Sequence, residues 1–266
     1  MALTGKDVFV SCGAAGTTGL ATNFKIGNKS NAIERKGLGN VSLTRLTGFE
    51  FYASVTGDVT ESGCTIATSL NSDSTFTIGA NSISISGAKV ESFKLECAQG
   101  EPLQYSVDFV GTGLGSGSTT EADTVEGLLI MGDAVIAIGT KTGTIDTTSP
   151  SQISKFTLEG KRTITPQYGT ELTPQSLSLG SWEYSLTVTI APESLSGIDF
   201  LSSVDGNGKP DENEDCTFEA TFTGPNAGGL TIAASGMTAD DASLSADPDN
   251  PVDFTINFKA ASVSIT

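Results

Sequence analysis

One stretch of this chain occurs twice. Ser86–Val110 aligns without a gap on Ser235–Lys259, at a constant spacing of 149 residues. That spacing sets Ser86-Gly87 on Ser235-Gly236, Leu95 on Leu244 and Pro102 on Pro251. It also sets Tyr105, Val107 and Phe109 on Phe254, Ile256 and Phe258. The last set keeps apolar residues at every second position, the period of a strand with one buried face. A duplicated β module points to symmetry and assembly.

Shorter matches extend the repeat toward the N-terminus. Phe24-Lys25-Ile26 resembles Phe156-Thr157-Leu158 at a shift of 132, and Phe49-Glu50-Phe51 resembles Trp182-Glu183-Tyr184 at 133. Val8–Gly13 resembles Ala134–Gly139 at 126, and Phe76-Thr77-Ile78 resembles Leu230-Thr231-Ile232 at 154. The step from 133 to 154 predicts an insertion of 21 residues between Thr189 and Leu230, around an acidic stretch at about 190–216. Gly111-Thr112-Gly113-Leu114-Gly115-Ser116-Gly117 has alternating glycines without a P-loop lysine, and reads as a linker rather than a phosphate cradle. The expected domains are therefore 1–118 and 119–266.

Abundant Gly, Ser and Thr with short alternating apolar segments predict a mainly β chain. The expectation is two tandem β-sandwich or barrel domains, with one short helix in the second. Pro192 and Glu193 suit that helix's first turn, and Leu195, Ile198 and Leu201 its buried face. Strands are expected at Val8–Cys12, Asn23–Ile26, Phe49–Thr56, Thr75–Ile78, Ser82–Ser86 and Gln104–Val110. Residues 27–47 and 159–179 read as long polar connections. Their Lys29, Arg35, Lys36, Arg45, Lys161 and Arg162 suit contact with a neighbouring subunit's acidic surface, with nucleic acid as the other reading. Phe49, Phe51, Trp182 and Tyr184 fall at equivalent positions and read as paired-strand core rather than a stacking site.

Composition excludes several functions. Histidine is absent, which removes Ser-His-Asp and Cys-His chemistry and histidine metal sites. No carboxylate pair stands out, so the chain is not expected to be an enzyme. The net charge of −17 repels phosphate, which opposes specific nucleic-acid binding but suits a surface that DNA passes without sticking. Cys12, Cys64, Cys97 and Cys216 form no close pair and read as buried free thiols, with disulfides as the alternative and zinc disfavoured. No apolar run reaches the ~20 residues of a membrane span, and the start has no secretory pattern, so folding in a cytoplasm is expected.

The acidic stretch fits a twelve-residue calcium loop. Ser203 takes position 1, Asp205 position 3, Asn207 position 5, Gly208 the turn glycine, Lys209 a carbonyl position, Asp211 position 9 and Glu214 the bidentate position 12. Ca2+ needs six to eight hard oxygens around one point, which this order supplies. Serine in place of aspartate at position 1 predicts weak affinity. The competing reading is a solvated acidic turn. Calorimetry without heat at millimolar calcium would dismiss the metal site.

The strand VFVSCG, the polar loops before GFEFYASV and GSWEYSLTV, and the closing pairs FTIGANSISISG, EPLQYSVDF and NPVDFTINF resemble tail tube proteins of tailed viruses, phage-like or archaeal. The resemblance spans nearly the whole chain and lies in arrangement rather than in one motif. It implies a structural virion protein, made in the host cytoplasm, whose two-domain chains form homotrimeric, pseudo-hexameric rings. The rings would stack into a tube, meet other tail proteins, and conduct viral DNA without binding it specifically. Four strands from each copy would close a barrel of roughly 24 strands, with a backbone diameter of roughly 48 Å and a lumen of roughly 35–40 Å. A lumen short of lysine and arginine would let phosphates slide. A capsid decoration protein or surface adhesin with a calcium-binding loop is the alternative.

Overall fold

A computed structural model of the chain describes residues 8–12, 20–36, 42–61, 64–80, 83–115, 127–140, 143–147, 153–190, 216–226, 228–245 and 253–266. Among these, strand dominates and the α-helix is a single turn, α1 (Cys64–Ala67), accompanied by a 3-10 turn at Met131–Asp133. The mainly β expectation holds. The helix predicted after Pro192 falls outside the described residues. No described helix is long and apolar enough to cross a membrane.

The strands are β1 (Val8–Cys12), β2 (Leu20–Lys36), β3 (Ser42–Asp58), β4 (Phe76–Ala80), β5 (Ile83–Ala98), β6 (Gln104–Gly111), β7 (Gly113–Gly115), β8 (Ala134–Thr140), β9 (Gly143–Thr147), β10 (Ile153–Lys161), β11 (Ile164–Gln167), β12 (Ser176–Leu179), β13 (Glu183–Ile190), β14 (Cys216–Thr223), β15 (Gly229–Ser245) and β16 (Asp253–Ile265). Fourteen of them form one open antiparallel sheet, in the order β2-β3-β6-β5-β10-β13-β16-β15-β14-β8-β9, with β4 joining β1 to β5 and β7 on β5. The path passes from residues before the glycine-rich segment to residues after it at β5–β10, so both halves share one sheet.

The repeat found in the sequence reappears as hydrogen-bond register. Val90 faces Phe109, Glu91 bulges out, and Ser92 faces Asp108; 149 residues on, Ala239 faces Phe258, Asp240 bulges, and Asp241 faces Asn257. An extra residue in a ladder bends and twists the strand, so a shared bulge marks a shared path. A second bulge also recurs. Thr22 sits between Ala21 and Asn23 and donates its hydroxyl to the Thr56 carbonyl at 3.2 Å, while Ser154 does the same to Thr189 at 3.2 Å. Gly87 and Gly236 both adopt positive φ, at 61° and 59°, a conformation that costs glycine little. Just past Gly87 the strand changes partners, from β4 and β7 up to Ala88 to β6 from Lys89 and β10 from Ser92.

That turn folds the sheet over on itself. Phe76 of β4 meets Phe109 of β6 at 5.3 Å between ring centres, and Phe156 of β10 meets Phe218 of β14 at 5.4 Å. Alternate residues of β3, β5, β6, β10, β13 and β16 fill the space between the layers. Phe51 is buried in that core, and the partly buried Phe49, Trp182 and Tyr184 pack against the core, as the core reading of these aromatics expects.

Three expectations need correction. Residues 27–47 are not a loop: β2 and β3 stay paired as far as Lys36 and Ser42. Ser86 does not end a strand, because β5 runs on to Ala98. The match of Phe76–Ile78 to Leu230–Ile232 is false. Leu230 opens β15, the strand that carries Ser235-Gly236, whereas the strand occupying the place of β4 is β14. The lengthening of the second half then falls from 21 residues to 16, since the shift runs from 133 to 149.

Candidate assembly interface

The seam between the halves shows what a strand edge of this chain can hold. Along β5–β10, Phe156 faces Cys97, Leu158 faces Leu95 and Gly160 faces Phe93, all on the buried side. Gly160 is required by close approach, since a Cβ there would stand 2.3 Å from the Phe93 ring. Burial pushes the free Cys97 thiol up to about 12, which makes it inert near neutrality. Cys216 is likewise buried.

On the exposed side, Glu96 lies between Lys155 of the opposite strand and Lys94 of its own, bridged to both. Hydrogen bonds from Lys155 and then Lys94 hold its carboxyl below the usual glutamate range. Further along, Lys161 pairs with Glu183 at 3.5 Å, at the rim of a shallow depression of about 690 Å³ lined by Phe93, Asp108, Glu159, Trp182 and Tyr184.

Arg162 closes the end of the seam. Its residue is 5% exposed, although the sequence reading placed it on an exposed basic loop. Its Nε donates to the Val90 carbonyl at 2.8 Å, one terminal nitrogen pairs with Asp73, and the other reaches the Ser72 carbonyl at 3.4 Å. The guanidinium lies 4.4 Å from the centre of the Trp182 ring, which stacks on Tyr184. A planar cation with several donors suits such a site, because each buried N–H needs a partner. Past Arg162 the second hairpin leaves the sheet and forms its own ladder, β11–β12. That hairpin docks on the first half, with the Phe49 amide donating to the Leu172 carbonyl at 2.8 Å and the Tyr168 ring against Gly48.

A second clasp lies across the fold. Glu61, 8% exposed, accepts from the Asn226 amide at 2.8 Å and from its Nδ2 at 2.9 Å. Gly224 has no room for a side chain, as a Cβ would come within 1.8 Å of Glu61 Oε1. Asn71 adds a third tie, donating to the Val263 carbonyl at 2.7 Å.

Two edges of the same kind stay open among the described residues. β2 pairs with β3 alone, and β15 beyond Met237 pairs with β16 alone. Phe24 and Ile26 of β2 are only half-buried, whereas their counterparts Phe156 and Leu158 under the seam are fully buried. An open edge presents unpaired N–H and C=O groups ready to template another strand.

The predicted calcium residues Ser203, Asp205, Asn207, Lys209, Asp211 and Glu214 all lie outside the described residues. Among the described ones, no group of three or more His, Cys, Asp or Glu side chains is arranged to hold a metal. Sequence reasoning placed Arg162 on an exposed loop and missed Asp73, Glu61 and the β5–β10 seam. No protein-family model matches the chain, and no curated protein matches it.

Proposed function

We propose that this chain is a structural subunit of a viral tail tube, with residues 1–118 and 119–266 as two homologous tube domains set side by side as staves. One observation carries the reading. The seam β5–β10 joins the last strand of one four-stranded run to the first strand of the next, and the eight-stranded result ends in the same two kinds of edge. A unit that joins itself once in this way can join copies of itself again, and a curved sheet that keeps adding equal units closes into a barrel. Three chains would supply roughly 24 strands, around a lumen wide enough for a DNA duplex.

The polar face of those eight strands is the candidate lumen, and it differs from the expected lysine-poor surface. It carries Lys25, Lys29, Lys94, Lys155, Lys161 and Lys259 in a chain of net charge −17. Carboxylates accompany them: Glu96 bridges Lys94 and Lys155, Glu183 bridges Lys161, and Asp240 bridges Lys259 at 3.0 Å. Passage of DNA would rest on this internal neutralisation rather than on scarcity of cations, because a paired lysine has less field left for a phosphate. The role is mechanical and not enzymatic, the location is the virion after assembly in the host cytoplasm, and the partners are other copies and other tail proteins. Calcium in the acidic segment remains a proposal on sequence grounds.

Negative-stain microscopy of the concentrated protein tests the reading. Rings with threefold or pseudo-sixfold outline, or hollow rods, are expected. A population of discrete monomers at every concentration would overturn it.

A further inference from the structure

We infer that β2 of one chain pairs with the distal half of β15 of a second copy, antiparallel, in the register of the internal seam. The inference rests on the tube reading and names its joint. Carrying β10 back by 132 residues and β5 forward by 149 turns Thr157–Glu96 into Lys25–Ser245 and Leu158–Leu95 into Ile26–Leu244. The same operation sets Asn28 opposite Ala242 and Lys29 opposite Asp241.

Four observations favour this occupant over an unrelated one. Both edges are open among the described residues, and β2 is 17 residues long, an unusual length to leave unpaired on its outer side in a free protein. Phe24 and Ile26 are half-buried where Phe156 and Leu158 have none of their surface exposed, so a strand added outside β2 would complete a burial already completed once. Side-chain size is exchanged across the joint. Gly160 receives the large Phe93 in the internal seam, and at the equivalent place Asn28, which has a side chain, meets the small Ala242. Charge agrees as well, because Lys29 falls opposite an aspartate, and opposite-charge cross-strand pairs are favourable.

The joint between chains lacks one component of the internal seam. Ser30 stands where the second half has Arg162, so no guanidinium clamp closes this end. The ring would therefore come apart between chains, with each chain leaving as an intact pair of staves.

Disulfide trapping tests the register. Directly opposed residues of an antiparallel pair lie about 4.5–5.5 Å apart at Cα, within disulfide reach. Lys25→Cys combined with Ser245→Cys is expected to give covalent dimers and trimers on a non-reducing gel after mild oxidation. Lys25→Cys with Ser243→Cys, displaced by two positions, and the parent protein are expected to give at least about tenfold less. Rings under the microscope without the first crosslink, or with equal crosslinking in the displaced pair, would overturn the register and leave the tube reading standing. Neither rings nor crosslinks would remove both. A ladder continuing beyond trimers would support the register and count against closure into a three-chain ring.

Discussion

The two hairpins of this protein start from one plan and end differently. In the first, β2 and β3 stay paired and absorb a bulge between Asn31 and Ala32. In the second, pairing of β10 with β13 stops at Lys161–Glu183, and the arm resumes as β11–β12 against the other half. The divergence begins where Ser30 and Arg162 correspond. Arg162 turns inward to Val90, Asp73 and Trp182, and the Gly180 amide closes the bend by donating to the Thr163 carbonyl at 2.8 Å. The second hairpin is folded back because it has a neighbour in the same chain. The first hairpin, paired to Lys36 and Ser42, belongs to an edge without one among the described residues. The comparison separates what the module does alone from what a neighbour makes it do.

The sharpest way to break the comparison is to spoil the finished seam. Gly160→Leu would drive a side chain into the Phe93 ring, where even a Cβ has 2.3 Å. Overpacking of this kind costs about 1–3 kcal/mol or more, and here it also pushes apart the two strands that hold the halves together. Chemical denaturation is expected to show that loss, together with a single transition becoming two. An unchanged midpoint would mean that β5–β10 contributes little to holding the halves together.

Arg162→Ser gives the second hairpin the residue of the first. It removes a cation–π contact and several charge-assisted hydrogen bonds, and leaves the Val90 carbonyl without this donor. The expected cost is about 2–3 kcal/mol, below that of breaking a fully buried ion pair because Asp73 stays largely in water. Hydrogen exchange should rise selectively across 163–181 while β10 and β13 keep their protection. Equal protection in both proteins would show that the bend is set by the loop and not by the clamp.

Much of this was legible in the chain. Shifts of 132, 133 and 149 reappear as ladder register because paired strands of a repeated module must carry their alternation in phase. Val8–Cys12 was legible to the residue, since a short run of β-branched and aromatic residues between a charged segment and a glycine-rich one leaves few other readings. The second part of β5 was hidden by Gly87, which ends the alternation of SISIS, and by the bulge at Glu91, which breaks the period-two pattern within AKVESFKLECA. The arms of the first hairpin were hidden because residues 27–47 have no sustained apolar alternation. A coincidence of triplets, FTI against LTI, drew β4 onto the wrong strand, while its true counterpart begins with Cys216-Thr217-Phe218. Arg162 sits 89 residues from Asp73, and Glu61 165 from Asn226, so no local pattern could pair them. The one available signal was an arginine where the other copy has serine.

The smallest effect sharpens the comparison on its polar side. Glu96 ties the two halves through Lys155, with Lys94 of its own strand beside it, and Ser245 takes its place at the open edge. Its folded pKa is depressed, first by Lys155 and then by Lys94, so its contribution is present above the ordinary glutamate pKa and lost as pH falls through the lower folded value. Partly exposed pairs contribute about 0.2–1 kcal/mol, so Glu96→Gln should lower stability by that amount at neutral pH. Near pH 3 the two proteins should converge, because the carboxylate is then being protonated in the parent as well. Glu91 opposes this trend: burial, with Asp108 and Glu50 nearby, raises its pKa, so its protonation favours the fold as pH drops. The difference between parent and Glu96→Gln cancels that background and isolates the seam. A gap that stayed constant from neutral to acidic pH would assign the effect of Glu96 to packing, and would remove charge from the list of what distinguishes the closed seam from the open edge.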